Sequence, residues 1–483
     1  MSELRIRRQP SRVVNRLSSD GEPARRLPVQ LDRRLVHKYD GPGPRYTSYP
    51  SAPAFRESFG PAEHAALLAA SARGGAPLSL YVHVPFCATR CLFCGCNVVI
   101  SRDRGRGERY LPLLEREMEM AADSLDAGSR EVMQVHWGGG TPTFLPPRDL
   151  TGLMAAIRRH FRLAAECEIS VEVDPREASS EHLDALAEAG VNRLSLGVQD
   201  LDPAVQQAIR RIQTPEQTRR VVEGARVRGI HGINVDLIYG LPHQTVSGFL
   251  ATVREVLEMS PDRLAIYNFA FLPSRLRHQR ALDLASLPGA EEKLSLLEEA
   301  IRELTVAGYV FIGMDHFARP DDPLAQALRD GTLTRNFQGY STHGGTDLAG
   351  FGVSAISAVG NGYAQNVRSM ADYRAAIEAG TLATERGLEL TAEDRLRRDI
   401  ILGLMCRFTL DKEEIEERHG IDFDRHFSAE LESLEPLAGD GLVHLFPDCI
   451  EVTPRGRFVV RNVAMAFDAH LAAQTSVLYS RTV

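Results

Sequence analysis

Residues 78–96 read LSLYVHVPFCATRCLFCGC, a strand-like run followed by a cysteine-rich loop. The first part, Leu78–Val84, is mostly apolar, β-branched or aromatic, which is typical of a buried strand. Cys87, Cys91, Cys94 and Cys96 follow with the spacing CxxxCxxCxC. Thiolates are soft ligands that suit zinc or iron–sulfur clusters. A structural zinc site usually takes a second ligand pair from farther along the chain, whereas these candidates share one loop. The spacing therefore predicts an iron–sulfur cluster with three cysteine ligands and one open iron; a zinc knuckle or inert buried cysteines are the alternatives.

The strand pattern of residues 78–84 recurs five more times, alternating with stretches of helical periodicity. The predicted strands are Leu78–Val84, Val132–His136, Ile169–Val173, Arg193–Gly197, Ile233–Ile238 and Leu264–Asn268. The predicted helices between them are Arg109–Leu125, Leu150–Phe161, Glu181–Glu188, Glu216–Val227 and Thr245–Met259. Strands that alternate with helices form a parallel sheet covered by helices. Six units are fewer than the eight of a closed barrel, so the predicted fold class is α/β, an open (β/α)6 partial barrel.

Glycines and polar residues follow the predicted strands one after another. After the cysteine loop come GGGT at 138–141, EVDP at 172–175, GVQD at 197–200, and the segments 236–242 and 268–273. The carboxyl ends of parallel strands form the active face of such folds, so we expect one large shared site. Gln199 and Asp236 are polar where a core-facing side chain would be apolar. Glu172 can accept hydrogen bonds from ribose hydroxyls, and the backbone of Gly138–Gly140 can approach a ligand closely.

The rest of the chain differs in character from the barrel. We expect a basic, flexible extension at 1–37, a segment that closes on the barrel at 38–77, the barrel with its substrate loops at 78–365, and a mainly helical domain at 366–483. A transit peptide is the alternative for the arginine-rich beginning. Late features are a helix at Glu291–Ala307, a strand at Tyr309–Gly313, loops at 316–322 and 336–340, and a hairpin at Leu442–Val452.

Composition excludes several classes of protein. The chain has 483 residues and a net charge of −8, which argues against bulk nucleic-acid binding. It has no apolar run long enough for a membrane-spanning helix. Four of the seven cysteines are clustered, while Cys167, Cys406 and Cys449 are scattered like ordinary thiols. This pattern indicates a reduced, cytoplasmic protein.

The motifs around the cysteine loop extend the argument through a resemblance. The loop and its position after the first strand resemble the radical S-adenosylmethionine (SAM) superfamily. The residues Tyr81–Phe86, the extra Cys96, and the segments HWGGGTPT, EVDPRE, GVQD, DLIYGLP, GMDHFARPDD and GVSAIS resemble its oxygen-independent coproporphyrinogen III oxidase family. GPRYTSYP, Gly43–Pro50, fits that family as well. A haem-binding chaperone of the same superfamily is the alternative; that group lacks counterparts of Cys96 and of this segment.

The resemblance implies cofactors and residue roles. It implies a [4Fe–4S] cluster on Cys87, Cys91 and Cys94, and two SAM molecules. The first SAM would face Tyr81, Gly139, Glu172 and Ile356. The second would face Phe93, Gly140, Thr141, Gln199, Arg211, Asp236 and Ala270. The implied catalytic residues are Tyr81, His83, Glu172, Phe337 and Gln338.

The resemblance also implies a reaction and its partners. The enzyme would convert two propionates of coproporphyrinogen III, on rings A and B, into vinyl groups, giving protoporphyrinogen IX for haem biosynthesis without oxygen. A reducing protein such as flavodoxin would supply electrons, an unidentified acceptor would remove one, and the protein would act as a monomer. A tetra-anionic substrate needs local cations in a chain of negative net charge. The candidates are Arg45, Arg319, Arg335 and Arg398.

Overall fold

The computed structural model describes residues 31–471, 479 and 481. Its centre is a twelve-stranded sheet in the order β16-β15-β14-β13-β1-β4-β5-β6-β7-β8-β10-β9. The strands are β1 (Leu78–Val84), β2 (Phe86–Cys87), β3 (Val99–Ile100), β4 (Glu131–Gly139), β5 (Arg162–Val173), β6 (Arg193–Gln199), β7 (Gly232–Tyr239), β8 (Arg263–Asn268), β9 (Val310–Gly313), β10 (His316–Ala318), β11 (Thr334–Asn336), β12 (Gly339–Ser341), β13 (Asp347–Phe351), β14 (Ile356–Val359), β15 (Gly362–Asn366), β16 (Thr384–Glu389), β17 (Thr409–Asp411), β18 (Val443–Leu445) and β19 (Cys449–Val452).

The six predicted barrel strands are confirmed as the parallel run β1-β4-β5-β6-β7-β8. The prediction was incomplete at both edges. β13 pairs in parallel with β1 and adds a seventh parallel strand, and the antiparallel strands β14, β15 and β16 continue beyond it. At the other edge β10 and β9 pair antiparallel after β8. The sheet is therefore an open arc whose edges are extended by late segments of the chain.

Helices cover the outer face of the arc. They are Pro61–Ala72, Gly105–Leu125, Pro147–His160, Ser180–Glu188, Pro215–Val227, Val246–Glu258, Ala290–Val306 and Met370–Glu378. The helices Pro323–Arg329, Ala392–Arg407, Lys412–His419, Phe423–His426, Ser428–Gly439 and Val460–Met465 pack in a second core, and Arg33–Tyr39 and Pro203–Ala208 are two further short helices. The barrel helices bury one apolar stripe, such as Leu150, Leu153 and Ile157, against the strands. Helices cover the outer face of the strands, and some side chains on the inner face of the arc are polar. We therefore expect the binding site on the inner face of the arc.

The two ends of the chain share a second hydrophobic core. It joins helix Ala392–Arg407, the three-stranded sheet β17-β19-β18 and the N-terminal segment. Tyr46 and Tyr49 of that segment are fully buried in this core, and the Tyr46 hydroxyl donates to Asp468 at 3.0 Å. The segment around Gly43–Pro50 is thus packed into the C-terminal part of the fold.

Three predicted segments differ from the structure. The extension predicted to reach residue 37 lies mostly outside the described residues, and its last part is ordered: Val36 is buried, and Arg33 forms an ion pair with Glu298 at 2.6 Å. The Asp32 side chain accepts hydrogen bonds from the first turn of helix Arg33–Tyr39, which explains why a helix begins there. The predicted loops at 316–322 and 336–340 contain parts of β10, β11 and β12, because short strands with polar residues give a weak alternation signal.

Candidate active site

The cysteine loop leaves β1 at the carboxyl edge of the sheet and is tied down on both sides. β2 and β3 pair in parallel, so Cys87 lies opposite Ile100. The Leu92 amide donates to the Ile209 carbonyl at 2.9 Å, which attaches the loop to the segment after helix Pro203–Ala208. His278 is hydrogen-bonded to the Cys94 carbonyl at 2.8 Å. The loop is therefore held in one conformation by three separate elements.

Most predicted site residues line one cavity of about 340 Å³ beside this loop. These are Cys87, Cys91, Cys94, Phe93, Gly139, Gly140, Thr141, Glu172, Gln199, Arg211 and Asp236. They come from the ends of β1, β4, β5, β6 and β7, as expected for parallel strands whose carboxyl ends meet at one edge. Cys96 lines the same cavity and contacts Cys94.

The cysteine geometry fits a cluster better than a single metal ion. Among the residues that the structure describes, no three His, Cys, Asp or Glu side chains are grouped as ligands of one ion. Cys87, Cys91 and Cys94 instead face a common space, as thiolates that each bind a different iron would. Arg176 and Arg211 each place a guanidinium nitrogen 3.6 Å from the Cys91 sulfur, where positive charge favours a thiolate ligand. The residues present therefore fit an iron–sulfur cluster.

Asp174 holds these two arginines in place. It accepts from Arg176 at 2.7 Å and from Arg211 at 2.9 Å, and it is itself buried. Burial alone would raise the pKa of Asp174, but its two arginine partners lower the pKa by more, so the pKa lies below the usual value for an aspartate. Sequence reasoning assigned no role to Asp174 or Arg176; their place in the EVDPRE segment at a strand end was the available signal.

The three glycines are required by close packing. A Cβ on Gly138 would lie 2.6 Å from Glu172, and one on Gly140 would lie 2.7 Å from the Phe86 carbonyl oxygen. Gly139 has φ of +106° and lies against the His83 ring. Two amides of this turn have partners within the protein, because the Gly139 amide donates to Glu172 and the Gly140 amide donates to Val84. The carbonyl oxygens of this turn are what remains for a bound ammonium group.

Glu172 belongs to a network inside the arc. One carboxylate oxygen accepts from the Gly139 amide at 3.0 Å, and the other is 3.3 Å from His136. Burial alone would raise the pKa of Glu172, but the His136 ring and the Gly139 amide lower the pKa by more. The net pKa is therefore below the usual value for a glutamate, and the carboxylate stays ionised. Its side chain remains 41% exposed, which leaves oxygen lone pairs free for a ligand. Tyr81 stacks on His136 with ring centroids 5.9 Å apart, and its hydroxyl is 3.0 Å from His83.

Asp236 and Gln199 form a second polar group in the cavity. Asp236 accepts from Ser195 at 3.0 Å and from Asn234 at 2.9 Å. Burial raises its pKa to about 6, which the two hydrogen bonds only partly oppose. Gln199 has φ of +70°, a conformation that non-glycine residues adopt at a cost. Strained backbone and a perturbed carboxylate in one cavity are typical of a binding site.

Six predicted residues are not among those that line this cavity, and Tyr81, whose contacts with His136 and His83 are given above, is one of them. Ala270 lines a neighbouring cavity of about 560 Å³. Phe337 and Ile356 belong to an apolar cluster in which Phe337 packs edge-on against Tyr363. Gln338 has a buried side-chain oxygen without a hydrogen-bond partner among the described residues. The buried His83 ring packs against Gly139.

The four candidate arginines differ in their surroundings. Arg319 is exposed and faces Asp321, and Arg398 interacts with Tyr363. Arg45 lines the 560 Å³ cavity with Lys293, Arg461 and Arg481, and it pairs with Asp315. Burial and the charge of Arg335 lower the Arg45 pKa to about 10, so these two arginines are close neighbours.

Arg335 is the most unusual of these cations. It is 6% exposed, and its guanidinium lies over the Tyr340 ring at 4.7 Å from the centroid. Its Nε and Nη1 atoms are buried with no hydrogen-bond partner in the described part of the chain. The Nδ1 of His316, whose ring packs edge-on against Tyr340, is unpartnered in the same way.

Comparison with known proteins gives consistent matches along the chain. A family model for the radical SAM superfamily matches residues 81–256, and a model for the HemN C-terminal domain matches residues 390–459. An oxygen-independent coproporphyrinogen III oxidase of Pseudomonas aeruginosa is 48% identical over 459 residues, covering 94% of this chain and 99% of that protein. The Escherichia coli enzyme of the same name is 47% identical over 443 residues, covering 92% and 96%. A solved structure of coproporphyrinogen III oxidase from Escherichia coli, described as a radical SAM enzyme, superimposes with a TM-score of 0.88 at 45% identity, covering 92% of this chain and all of that one.

Proposed function

Because the chain belongs to the oxygen-independent coproporphyrinogen III oxidases of the radical SAM superfamily, we propose that it decarboxylates coproporphyrinogen III to protoporphyrinogen IX. The ring A and ring B propionates become vinyl groups in this reaction. The observation that carries the proposal is that the three cysteines of the CxxxCxxC loop line one cavity with the polar residues of four strand ends. The cofactors of the family are a [4Fe–4S] cluster and SAM.

When bound, a [4Fe–4S] cluster and SAM would supply the radical chemistry that hydrogen abstraction from the substrate needs. Cys87, Cys91 and Cys94 would hold the cluster, and Arg176 and Arg211 would stabilise the Cys91 thiolate. The carbonyls of the 138–140 turn are placed to bind a SAM ammonium group. Glu172, ionised and partly exposed, is placed to accept the hydroxyls of a ribose.

The second SAM has its own group of candidate residues. Gln199, Asp236, Thr141 and Arg211 line the same cavity as the cysteines, and so do Phe93 and Gly140. Arg211 donates hydrogen bonds to Asp174 and to the Gly197 carbonyl, so its guanidinium is held in one position and places a positive charge at the edge of the cavity. Ala270 receives the weakest support, since it lines the adjoining cavity.

The substrate's carboxylates require cations, and the 560 Å³ cavity supplies them. Arg45, Lys293 and Arg461 line it, and burial lowers the pKa of each. Tyr267 of β8 lines the cysteine cavity, and the Arg45 guanidinium lies 5.9 Å from its ring centroid. Arg45 lines one cavity and Tyr267 the other, so the two cavities are neighbours. We assign the cationic cavity to the porphyrinogen, with Arg45 as a partner of one propionate and with Arg335, which lies near Arg45 but does not line the cavity, as a second candidate.

The haem-chaperone alternative is not favoured. Relatives that are 47–48% identical over more than nine-tenths of the chain are oxidases by name, and the Gly43–Pro50 segment is built into the fold. The proposal also includes a reducing protein as electron source, a separate electron acceptor, action as a monomer and location in the cytoplasm. All seven cysteines are free thiols, which suits a reducing compartment. No helix of the described residues is long and apolar enough to cross a membrane.

The test is anaerobic reconstitution followed by two assays. Cys87→Ser, Cys91→Ser and Cys94→Ser should each lose bound iron and SAM cleavage, while Cys167→Ser, remote from the cavity, should keep both. The wild-type protein, given SAM, a chemical reductant, an electron acceptor and coproporphyrinogen III, should release carbon dioxide. Stoichiometric haem binding without decarboxylation would instead support the chaperone.

A further inference from the structure

An open groove of about 810 Å³ lies on the outer surface of the cysteine loop. It is lined by Ala88, Thr89, Arg90, Ile100, Ser101, Arg102, Arg176, Gln207, Arg210 and Ile212, which together we call the basic groove. Ala88, Thr89, Arg90 and Arg176 also line the cysteine cavity. The groove therefore lies directly beside the cysteine cavity and shares with it the loop residues between Cys87 and Cys91.

The charge of the basic groove is opposite to that of the whole molecule. Four of its ten described lining residues are arginines and none is acidic, whereas the chain carries a net charge of −8. Arg102 and Arg210 are exposed, and within residues 31–471, 479 and 481 no ion pair involves either of them. Surface arginines usually lie near carboxylates in a chain this acidic, so an unneutralised group marks a binding surface for an anionic partner.

The groove also has two exposed apolar side chains. Ile212 is 59% exposed and Ile100 is 36% exposed, and both lie among the arginines. Apolar side chains with a polar, charged rim are the usual arrangement of a protein-binding surface, because the centre excludes water while the rim sets orientation. A small inorganic anion would gain nothing from the two isoleucines, so the occupant is a protein.

The backbone connects the groove rigidly to the cluster loop. In the segment 209–212, Arg210 and Ile212 point outward into the groove, and Arg211 between them reaches inward to the Cys91 sulfur and Asp174. The Ile209 carbonyl accepts from the Leu92 amide of the loop. A protein docked here is separated from the cluster ligands by one layer of side chains.

We propose that the basic groove is the docking site of the protein that supplies electrons to this enzyme, an acidic one-electron carrier whose redox centre is exposed at an apolar edge. This inference rests on the proposed function, in which each SAM cleavage consumes one electron. The partner loses that electron and is oxidised by one unit, and no atoms are exchanged. Opposite charge guides the carrier to the one basic face beside the cluster, while the remaining acidic surface repels it from unproductive orientations.

The test compares two double charge reversals of equal size. Arg102→Glu with Arg210→Glu changes the groove; Arg220→Glu with Arg425→Glu changes two exposed arginines elsewhere. The dissociation constant of an acidic flavodoxin for the reconstituted holoprotein is measured by calorimetry at several salt concentrations. We expect the groove variant to raise the dissociation constant about tenfold at low salt and to flatten its salt dependence, with the control close to wild type.

A second measurement separates this inference from the proposed function. Chemically reduced SAM cleavage, with dithionite in place of the protein donor, should be the same in all three proteins, because neither pair of arginines holds the cluster or SAM. Equal rates of dithionite-driven SAM cleavage in the three proteins, together with weakened flavodoxin binding by the groove variant, support the docking site. Unchanged binding in the groove variant, or no flavodoxin binding by wild type at low salt, overturns it. Loss of a self-associated form in the groove variant also overturns it and assigns the groove to a second copy. Absence of dithionite-driven cleavage in wild type would count against the proposed function instead.

Discussion

Replacing Arg335 by methionine should make the ligand-free protein more stable while weakening its binding of substrate. Arg335 is 6% exposed, and two of its nitrogens have no partner among the described residues. A buried charge without a counter-charge is costly, and the neighbouring Arg45 adds repulsion. A residue that destabilises the free protein in this way is explained if its partner arrives with the ligand. Methionine keeps the volume and the contact with Tyr340 and removes the charge.

The expected magnitude follows from these contacts. An unpaired buried ion costs several kcal/mol, and the cation–π contact with Tyr340 returns about 1–2 kcal/mol. Arg335→Met should therefore raise the free energy of unfolding of the apoprotein by about 1–3 kcal/mol. A charge-assisted hydrogen bond to a carboxylate contributes about 1.5–3 kcal/mol, so the dissociation constant for coproporphyrinogen III should rise about 10- to 100-fold.

Urea unfolding of the apoprotein measures the first effect, and anaerobic binding and decarboxylation assays measure the second. Arg319→Met is the matched control, because Arg319 is exposed and its removal should change neither quantity. Basal SAM cleavage without substrate should be unchanged in both variants. The reasoning is refuted if Arg335→Met destabilises the protein by 1 kcal/mol or more and binds substrate as tightly as wild type, since Arg335 would then be a structural residue.

Two further predictions concern the site and the frame that supports it. Gly140→Ala should lose most of its bound iron, because the new Cβ would lie 2.7 Å from backbone atoms that cannot move aside. The control Gly128→Ala should retain its iron, because the space around Gly128 is open. Equal iron contents in the two variants would contradict the packing argument. Glu117 is buried and accepts hydrogen bonds from Tyr373 and Asn366, and burial raises its pKa to about 7. Since its pKa is higher in the folded than in the unfolded protein, its stabilising contribution is fully present below about pH 4.5 and is lost as pH rises through 7, by about 3 kcal/mol in total. Urea unfolding at pH 5.5 and pH 8 should therefore show a larger loss in wild type than in Glu117→Gln, and equal losses would argue against a raised pKa.

Much of the barrel and of the cysteine cavity could be predicted from the sequence. The strands have an apolar signal that depends on neighbouring residues, and parallel strands place their carboxyl ends together whatever the details of packing. For that reason eleven predicted residues, from Cys87 to Asp236, line one cavity. The cysteine spacing is also local, whereas the requirement for glycine at 138–140 comes from contacts with His83, Phe86 and Glu172 that folding brings there.

Tertiary structure decided what depends on distant partners. β13 pairs in parallel with β1 although more than 260 residues lie between them, and periodicity does not reveal which strands become neighbours. The burial of Tyr46 beside the C-terminal helices and the separation of the four candidate arginines were equally hidden. In the sequence each arginine is one positive charge; whether a carboxylate, an aromatic ring or no partner meets it depends on side chains that folding brings from elsewhere. Local patterns thus determined the elements and the cluster loop, and long-range packing decided that Arg335 is buried with no counter-charge among the described residues.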